Sequence, residues 1–240
     1  KKGTLIFLSR YRKTFFSKLI IRLLSKLYCH YVYIINRYYL LKNDKEIHQT
    51  KMIFNLMKMC NISFDSNTNI NISLPKNKLN ITSANKSLVT IHLSNKWINK
   101  HYSEENFFEL IANLPTKKYT YILTTDDYTN HKFKKIYKRF QIISDNKLHK
   151  INLLDRDFTI FDKPNFENWK QIIYSSNLII TPECGCSHMA SACRIPVIII
   201  YDAENYPEAI YKEYHPWKSK HKKLVFNYKS LNEKIVNNLT

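Results

Sequence analysis

Residues 177–201, NLIITPECGCSHMASACRIPVIIIY, carry the reading of the fold. Two apolar runs, NLIIT (177–181) and PVIIIY (196–201), enclose a short segment that holds Gly185, the only glycine beyond position 3. Runs of this kind, with no polar alternation, fit strands buried on both faces. The small residues Ala190, Ser191 and Ala192 between them suit a helix packed closely on such a sheet.

The same alternation continues upstream. LVTIHL (88–93) reads as a strand, and SEENFFELIANL as a helix from about Ser103, with Ser103 as N-cap and Glu104 and Glu105 at the positive end. A strand follows in TYILT from Thr120, then a basic helix from about Asn130 and a strand near Gln141 to Ser144. A helix from about Asn165 places Phe166, Trp169, Ile172 and Ile173 on one face. The pattern is that of an α/β domain, a Rossmann-like doubly wound parallel sheet over residues 87–240. In such sheets ligands bind beyond the carboxyl ends of the strands, where loops enter helices. The turn after NLIIT lies there.

Residues 66–86 are rich in Asn, Ser and Lys, include Pro75 and read as a linker. Residues 1–65 form a basic, mostly helical segment, with helical spacing in Phe15, Leu19, Leu23 and Leu27 and again in Met52, Ile53, Leu56, Met57 and Cys60. From the residues alone the first of these helices either faces a core with its Lys and Arg in water, or lies on an anionic lipid surface. Thr4–Leu8 reads as the middle of an apolar strand, so a further segment upstream is expected.

The 240 residues carry a formal charge of +19, which points to an anionic membrane surface or a nucleic acid, or to an A+T-biased coding sequence rich in Lys, Asn, Ile, Tyr and Phe. Zinc-knuckle, RNP-like and helix-turn-helix patterns are missing from the sequence, so a nucleic-acid module is the rival class and no nucleic-acid partner is expected. Cys29, Cys60, Cys184, Cys186 and Cys193 are odd in number and form no C-x-x-C pair, which fits a reducing, cytoplasmic setting. Lys18, Arg22, Lys26 and Arg37 interrupt the apolar N-terminal third, so no run approaches the ~20 residues of a membrane span.

ECGCSHMASA (183–192) admits three chemistries. Cys184, Cys186 and His188, with Cys193 nearby, can be drawn as a zinc clip, although structural sites space paired cysteines by two to four residues. A thiol at a helix start can be a nucleophile if a histidine base is supplied in space. In the third reading the backbone acts: Gly185 lets the chain turn and approach a ligand, and Cys186, Ser187 and His188 open a helix whose free N–H groups face an anion. Ser187 or Thr181 adds a hydroxyl, and His188 a tunable charge. An ordinary βα turn is the bland alternative.

Over residues 86–217 the chain resembles the C-terminal half of glycosyltransferase family 9, the lipopolysaccharide heptosyltransferases. The family's D-[ST]-G-x-x-H-[LM]-A-[AS]-A turn and helix, followed by a P-V strand, corresponds to Glu183, Cys184, Gly185, His188, Met189, Ala190, Ser191 and Ala192, then Pro196 and Val197. HLSNKWINKHYSEENFFEL (92–110) is similar to its H-P-G-x…K-R-W-P…F-x-x-L segment, with Lys100 at the basic position. The resemblance implies a GT-B fold of two facing Rossmann-like domains. This chain would hold the second, donor-binding domain behind a remnant of the first, acceptor-binding one.

It further implies inverting transfer from a nucleotide sugar, ADP-heptose in the type case, to a lipopolysaccharide core or lipid A acceptor at the inner face of the inner membrane. No metal or cofactor is expected. Gly185 with Cys184, Cys186 and Ser187 would hold the diphosphate on the helix start, and Lys100 would neutralise the leaving nucleotide. Glu183 and His188 would line the sugar-diphosphate site. Thr124, Thr125 and Asp126 in one loop, and Asn165 in another, would approach the nucleoside. The carboxylate that activates the acceptor belongs to the family's N-terminal domain and is not visible here. Glu183 stands for the motif aspartate, Cys184 for its hydroxyl neighbour and Asp202 for a later glycine. A truncated or split enzyme and an inactive pseudoenzyme are both consistent with that pattern.

Overall fold

The computed structural model describes residues 3–9, 15–26, 29–36, 48–63, 65, 72–79, 86–94, 96–97, 103–126, 135, 138, 140, 142–143, 158–204, 206–226 and 230–240, with 3–9, 29–36 and 143 by backbone alone. The chain divides into two compact units, Lys1–Thr68 with Lys212–Tyr214, and Asn69–Tyr211 with His215–Thr240.

In the first unit, β1 (Gly3–Ser9), α1 (Phe15–Lys26) and β2 (Cys29–Asn36) form a βαβ crossover whose two strands pair in parallel, followed by α2 (Gln49–Met59). Where the spacing predicts mostly helix, the structure adds β2, whose CHYVYIIN sequence is aromatic and β-branched and prefers a pleated surface. Helix α1 turns its apolar arc outward. Phe15 and Phe16 are 82% and 70% exposed, Leu19, Ile20, Leu23 and Leu24 are exposed with them, and Ser17, Lys18, Ile21 and Ser25 are half-buried. Among the described residues, no helix is long and apolar enough to cross a membrane.

Among the described residues, the second unit holds a seven-stranded, all-parallel sheet built from β3 (Ser87–Leu93), β4 (Tyr119–Thr125), β5 (Ile142–Ile143), β6 (Phe158–Phe161), β7 (Leu178–Pro182), β8 (Val197–Tyr201) and β9 (His221–Val225). Their order is β5-β6-β4-β3-β7-β8-β9. The chain therefore runs from β3 to β4, places β5 at the edge and β6 between β5 and β4, then returns beside β3 as β7 and builds outward on the other side as β8 and β9. The order reverses between β3 and β7, which pair from Val89↔Leu178 to Ile91↔Ile180. A crevice opens at such a reversal because the connections leave the two strands in opposite directions.

Helices α3 (Glu104–Asn113), α4 (Phe166–Ser175), α5 (Gly185–Ala192), α6 (Pro207–Tyr214) and α7 (Leu231–Asn237) follow strands of this sheet. Its two faces are packed by alternate side chains of the same strands. Ile198 and Ile200 of β8 join Phe107, Leu110 and Ile235, while Val197, Ile199 and Tyr201 join Ile173, Cys186 and Ala190. Each such aliphatic burial contributes about 1.5–3 kcal/mol, which is why PVIIIY carries no polar position. Helix α5 stops in a Schellman turn, with Arg194 N–H donating to Ser191 O, Ile195 N–H donating to Ala190 O, and Arg194 at φ 60°. The expected doubly wound sheet is present. β6 (FTIF) is a further strand the sequence reading did not place, and β9 (HKKLV) offers little signal, since only Leu224 is buried in it.

Candidate functional site

The segment 183–188 lies at the carboxyl end of β7, on the crevice. Glu183 N–H donates to Ile200 O at 3.0 Å and continues the β7–β8 ladder by one residue. Cys184 is extended (φ −164°, ψ −174°) and serves as N-cap of α5 with its carbonyl, which accepts from the Ser187 hydroxyl at 2.8 Å and from Ser187 N–H at 3.1 Å. The Ser187 hydroxyl is thus committed inside the protein. Gly185 is the first residue of α5 and is exposed, and it does not have positive φ. A Cβ built on it meets nothing within 4 Å. Neither backbone strain nor protein packing requires a glycine here, and the face above this helix start is open.

The cysteines belong to the fold. Cys186 and Cys193 are buried in the core between α5 and β8. Burial pushes the Cys186 thiol well above its ordinary range, and the Cys184 thiol is also raised by burial, against the lowering effect of the Thr181 hydroxyl 3.3 Å away. A thiol held protonated is a poor nucleophile. His188 is half-buried; burial lowers its pKa, with the Glu183 charge opposing and Lys96 adding to the effect, which favours the neutral imidazole.

Opposite this turn, Ser94, Lys96 and Trp97 follow β3 and are tied down. Ser94 O accepts from Trp97 N–H at 2.9 Å, Ser94 Oγ accepts from Lys96 N–H at 3.2 Å, and the Trp97 ring is buried edge-on to Phe107 at 5.6 Å. Lys96 Nζ donates to Glu183 O at 2.7 Å and to Glu183 Oε2 at 2.8 Å, which spans the crevice. Sequence reasoning missed Lys96 because its significance depends on a partner 87 positions away. Lys100, the basic residue picked out in the sequence, lies outside the described residues. Beside the pair is a cavity of about 410 Å³, walled by Trp97, Glu183, Tyr201, Asp202 and Phe226 among others.

The loops after β4 and β6 have a different character. Thr124 Oγ1 is 3.0 Å from Nδ1 of buried His92. Thr125 Oγ1 donates to Asp162 Oδ1 at 2.9 Å and accepts from Lys163 N–H at 3.0 Å. Asn165 caps α4, its side-chain oxygen accepting from Asn168 N–H at 2.9 Å. Asp126 follows the end of β4 and bears on His92 electrostatically. The structure therefore brings Glu183, Cys184, Gly185, Cys186, Ser187 and His188 into one turn at the crevice, and places Thr124, Thr125, Asp126 and Asn165 along the neighbouring strand ends.

Comparison with known proteins adds to this geometry. The family model described as Glycosyltransferase family 9 (heptosyltransferase) matches residues 35–237. No curated protein matches the chain. Among solved structures, a glycosyl transferase family 9 protein from Veillonella parvula is similar at 12% identity and TM-score 0.61, covering 94% of this chain and 64% of that one. The E. coli heptosyltransferase WaaC, solved with ADP, is similar at 14% identity and TM-score 0.55, covering 90% of this chain and 60% of that one. The chain spans less than two thirds of either protein, and likeness at these identities shows a shared fold.

Proposed function

The chain belongs to glycosyltransferase family 9, and on that premise we propose that its second unit is the nucleotide-sugar-binding half of an inverting, heptosyltransferase-like enzyme. The observation that carries this reading is the helix start at Gly185, set at the reversal of a doubly wound sheet, where a Cβ would meet no described atom within 4 Å. A glycosidic bond to a diphosphate breaks as negative charge builds on the departing group. The first turn of α5 presents backbone N–H donors and the positive end of a helix dipole to that charge. Donors fixed before the reaction are worth about 3 kcal/mol each at such a position.

The donor is an ADP-sugar, with ADP-heptose the first candidate, and WaaC, solved with ADP, supports the choice of nucleotide. The acceptor is a lipopolysaccharide core, its hydroxyl activated by a carboxylate from a family 9 N-terminal domain. Gly185 and its neighbours hold the diphosphate, Lys100 adds positive charge, and Thr124, Thr125, Asp126 and Asn165 border the nucleoside. Isothermal titration of the full chain with ADP and with ADP-heptose tests the reading. Heat of binding at micromolar to millimolar ligand is expected, and its absence at millimolar concentration would sink the donor-site assignment.

A second reading concerns the first unit. Helix α1 exposes Phe15, Phe16, Leu19, Ile20, Leu23 and Leu24 and carries Lys18, Arg22 and Lys26 with no acidic residue. That combination supports docking on an anionic bilayer at the cytoplasmic face, where a lipid-linked acceptor lies. Co-sedimentation with vesicles containing anionic lipid is expected to weaken sharply with added salt; binding that ignores salt, or no binding, removes this reading.

A further inference from the structure

The Lys96–Glu183 pair is not explained by stability. The Lys96 side chain is 58% exposed, and ion pairs in contact with water contribute little to folding. Its position is more informative. It bridges the two strands that flank the reversal of the sheet, beside the first turn of α5 and on the rim of the 410 Å³ cavity. Lys96 is also held there, because its neighbour Trp97 is anchored in the core and Ser94 accepts from its N–H. Two of its ammonium protons are directed at one residue, Glu183 O and Oε2, and a third remains.

In the lining of the same cavity as Glu183, the Tyr201 hydroxyl is buried with no hydrogen-bond partner among the described residues. A buried hydroxyl left in this state costs free energy unless something supplies a partner.

Resting on the donor-site reading above, we infer that Lys96 is a further ammonium, besides Lys100, that meets the donor's diphosphate, and that Glu183 holds it at the crevice until the anion arrives. A diphosphate carries more negative charge than one carboxylate and offers several acceptor oxygens, so it competes successfully for a largely exposed lysine held by one half-buried carboxylate and one backbone carbonyl. Glutamate reaches one methylene further than the aspartate of the family motif, and that extra reach carries its carboxylate toward Lys96. The arrangement has a sign. Glu183 opposes a bare nucleoside diphosphate, both as a rival for Lys96 and as a like charge near the phosphates.

Titration of the full chain with ADP and with adenosine, for wild type and for Lys96→Met, Lys96→Arg and Glu183→Gln, tests this. Lys96→Met is expected to weaken ADP about 10-fold or more while leaving adenosine within about twofold. Lys96→Arg keeps most of the ADP affinity. Glu183→Gln is expected to tighten ADP about threefold or more, steepest at low salt. A chain that binds ADP equally well with Met at position 96 removes Lys96 from the site and leaves the donor reading standing. Equal weakening of ADP and adenosine makes Lys96 a structural residue only and overturns the inference. Weaker ADP binding in Glu183→Gln overturns the holding role of Glu183. Wild type that binds no ADP overturns the donor reading, and this inference with it.

Discussion

The carboxyl ends of β4 and β6 and those of β3 and β7 lie side by side on one sheet, yet they spend their polar groups differently. Along β4 and β6, Thr124, Thr125 and Asn165 are all engaged by partners within the protein: His92, Asp162 with Lys163, and Asn168. Along β3 and β7, Lys96 and Glu183 pair with each other in contact with solvent, and a Cβ at Gly185 meets no described atom within 4 Å. The first set has the pattern of groups that hold strand ends and helix starts in place. The second has the pattern of groups kept for a ligand. Buried polar groups must find partners inside the protein, as Thr124 and Thr125 do, whereas the largely exposed Lys96 can exchange its partner for a ligand.

The contrast can be broken by experiment. The largest expected effect is on the scaffold side and comes from His92, whose ring is held at about pKa 4, below its ordinary 6.5, by burial, with Asp126 opposing. The folded protein keeps this ring neutral while the unfolded chain protonates it near 6.5. Its contribution is therefore complete above pH 6.5 and is lost as the pH falls toward 4, a loss of up to about 3 kcal/mol. Urea unfolding at pH 7 and at pH 4.5 should show this drop, and His92→Gln should flatten it. An unchanged acid limb in His92→Gln would assign the drop to other groups.

On the site side, Gly185→Leu should leave the urea midpoint nearly unchanged, because a Cβ there meets no protein atom. The same substitution should weaken ADP about 10-fold, or ~1.4 kcal/mol, by filling the space over the helix start. A large loss of stability instead would place Gly185 with the scaffold. The smallest effect is expected from Thr125→Val, which deletes one donor to Asp162 and one acceptor for Lys163 N–H, at about 1 kcal/mol of stability. ADP affinity should fall less than in Gly185→Leu. A Thr125→Val protein that unfolds as wild type does and loses ADP would reverse the assignment of the two regions.

Much of the sheet is legible in the chain. NLIIT and PVIIIY announce strands covered on both faces, and Ser103 and Asn165 announce the starts of α3 and α4, where their side chains accept from Asn106 and Asn168 N–H. β9 is not legible. Its HKKLV sequence at the sheet edge buries only Leu224, so the alternation that marks a strand is almost absent. The candidate site is half legible. The turn at 183–188 stands out through its lone glycine and its small-residue helix, but the cysteines that stand out with it belong to the core. The outward apolar arc of α1 is visible as periodicity and invisible as direction, because helical spacing is the same whichever side faces water.

The amino-acid sequence by itself determined the class of fold and the point on the chain where a ligand can approach. Periodicity, caps and small residues are local properties, written within a few positions of one another. The tertiary structure alone decided the order of the strands, and with it the reversal between β3 and β7 that brings Lys96 to Glu183. That contact joins residues 87 positions apart, and its geometry follows from which strands share hydrogen bonds, a choice made by the packing of the whole sheet.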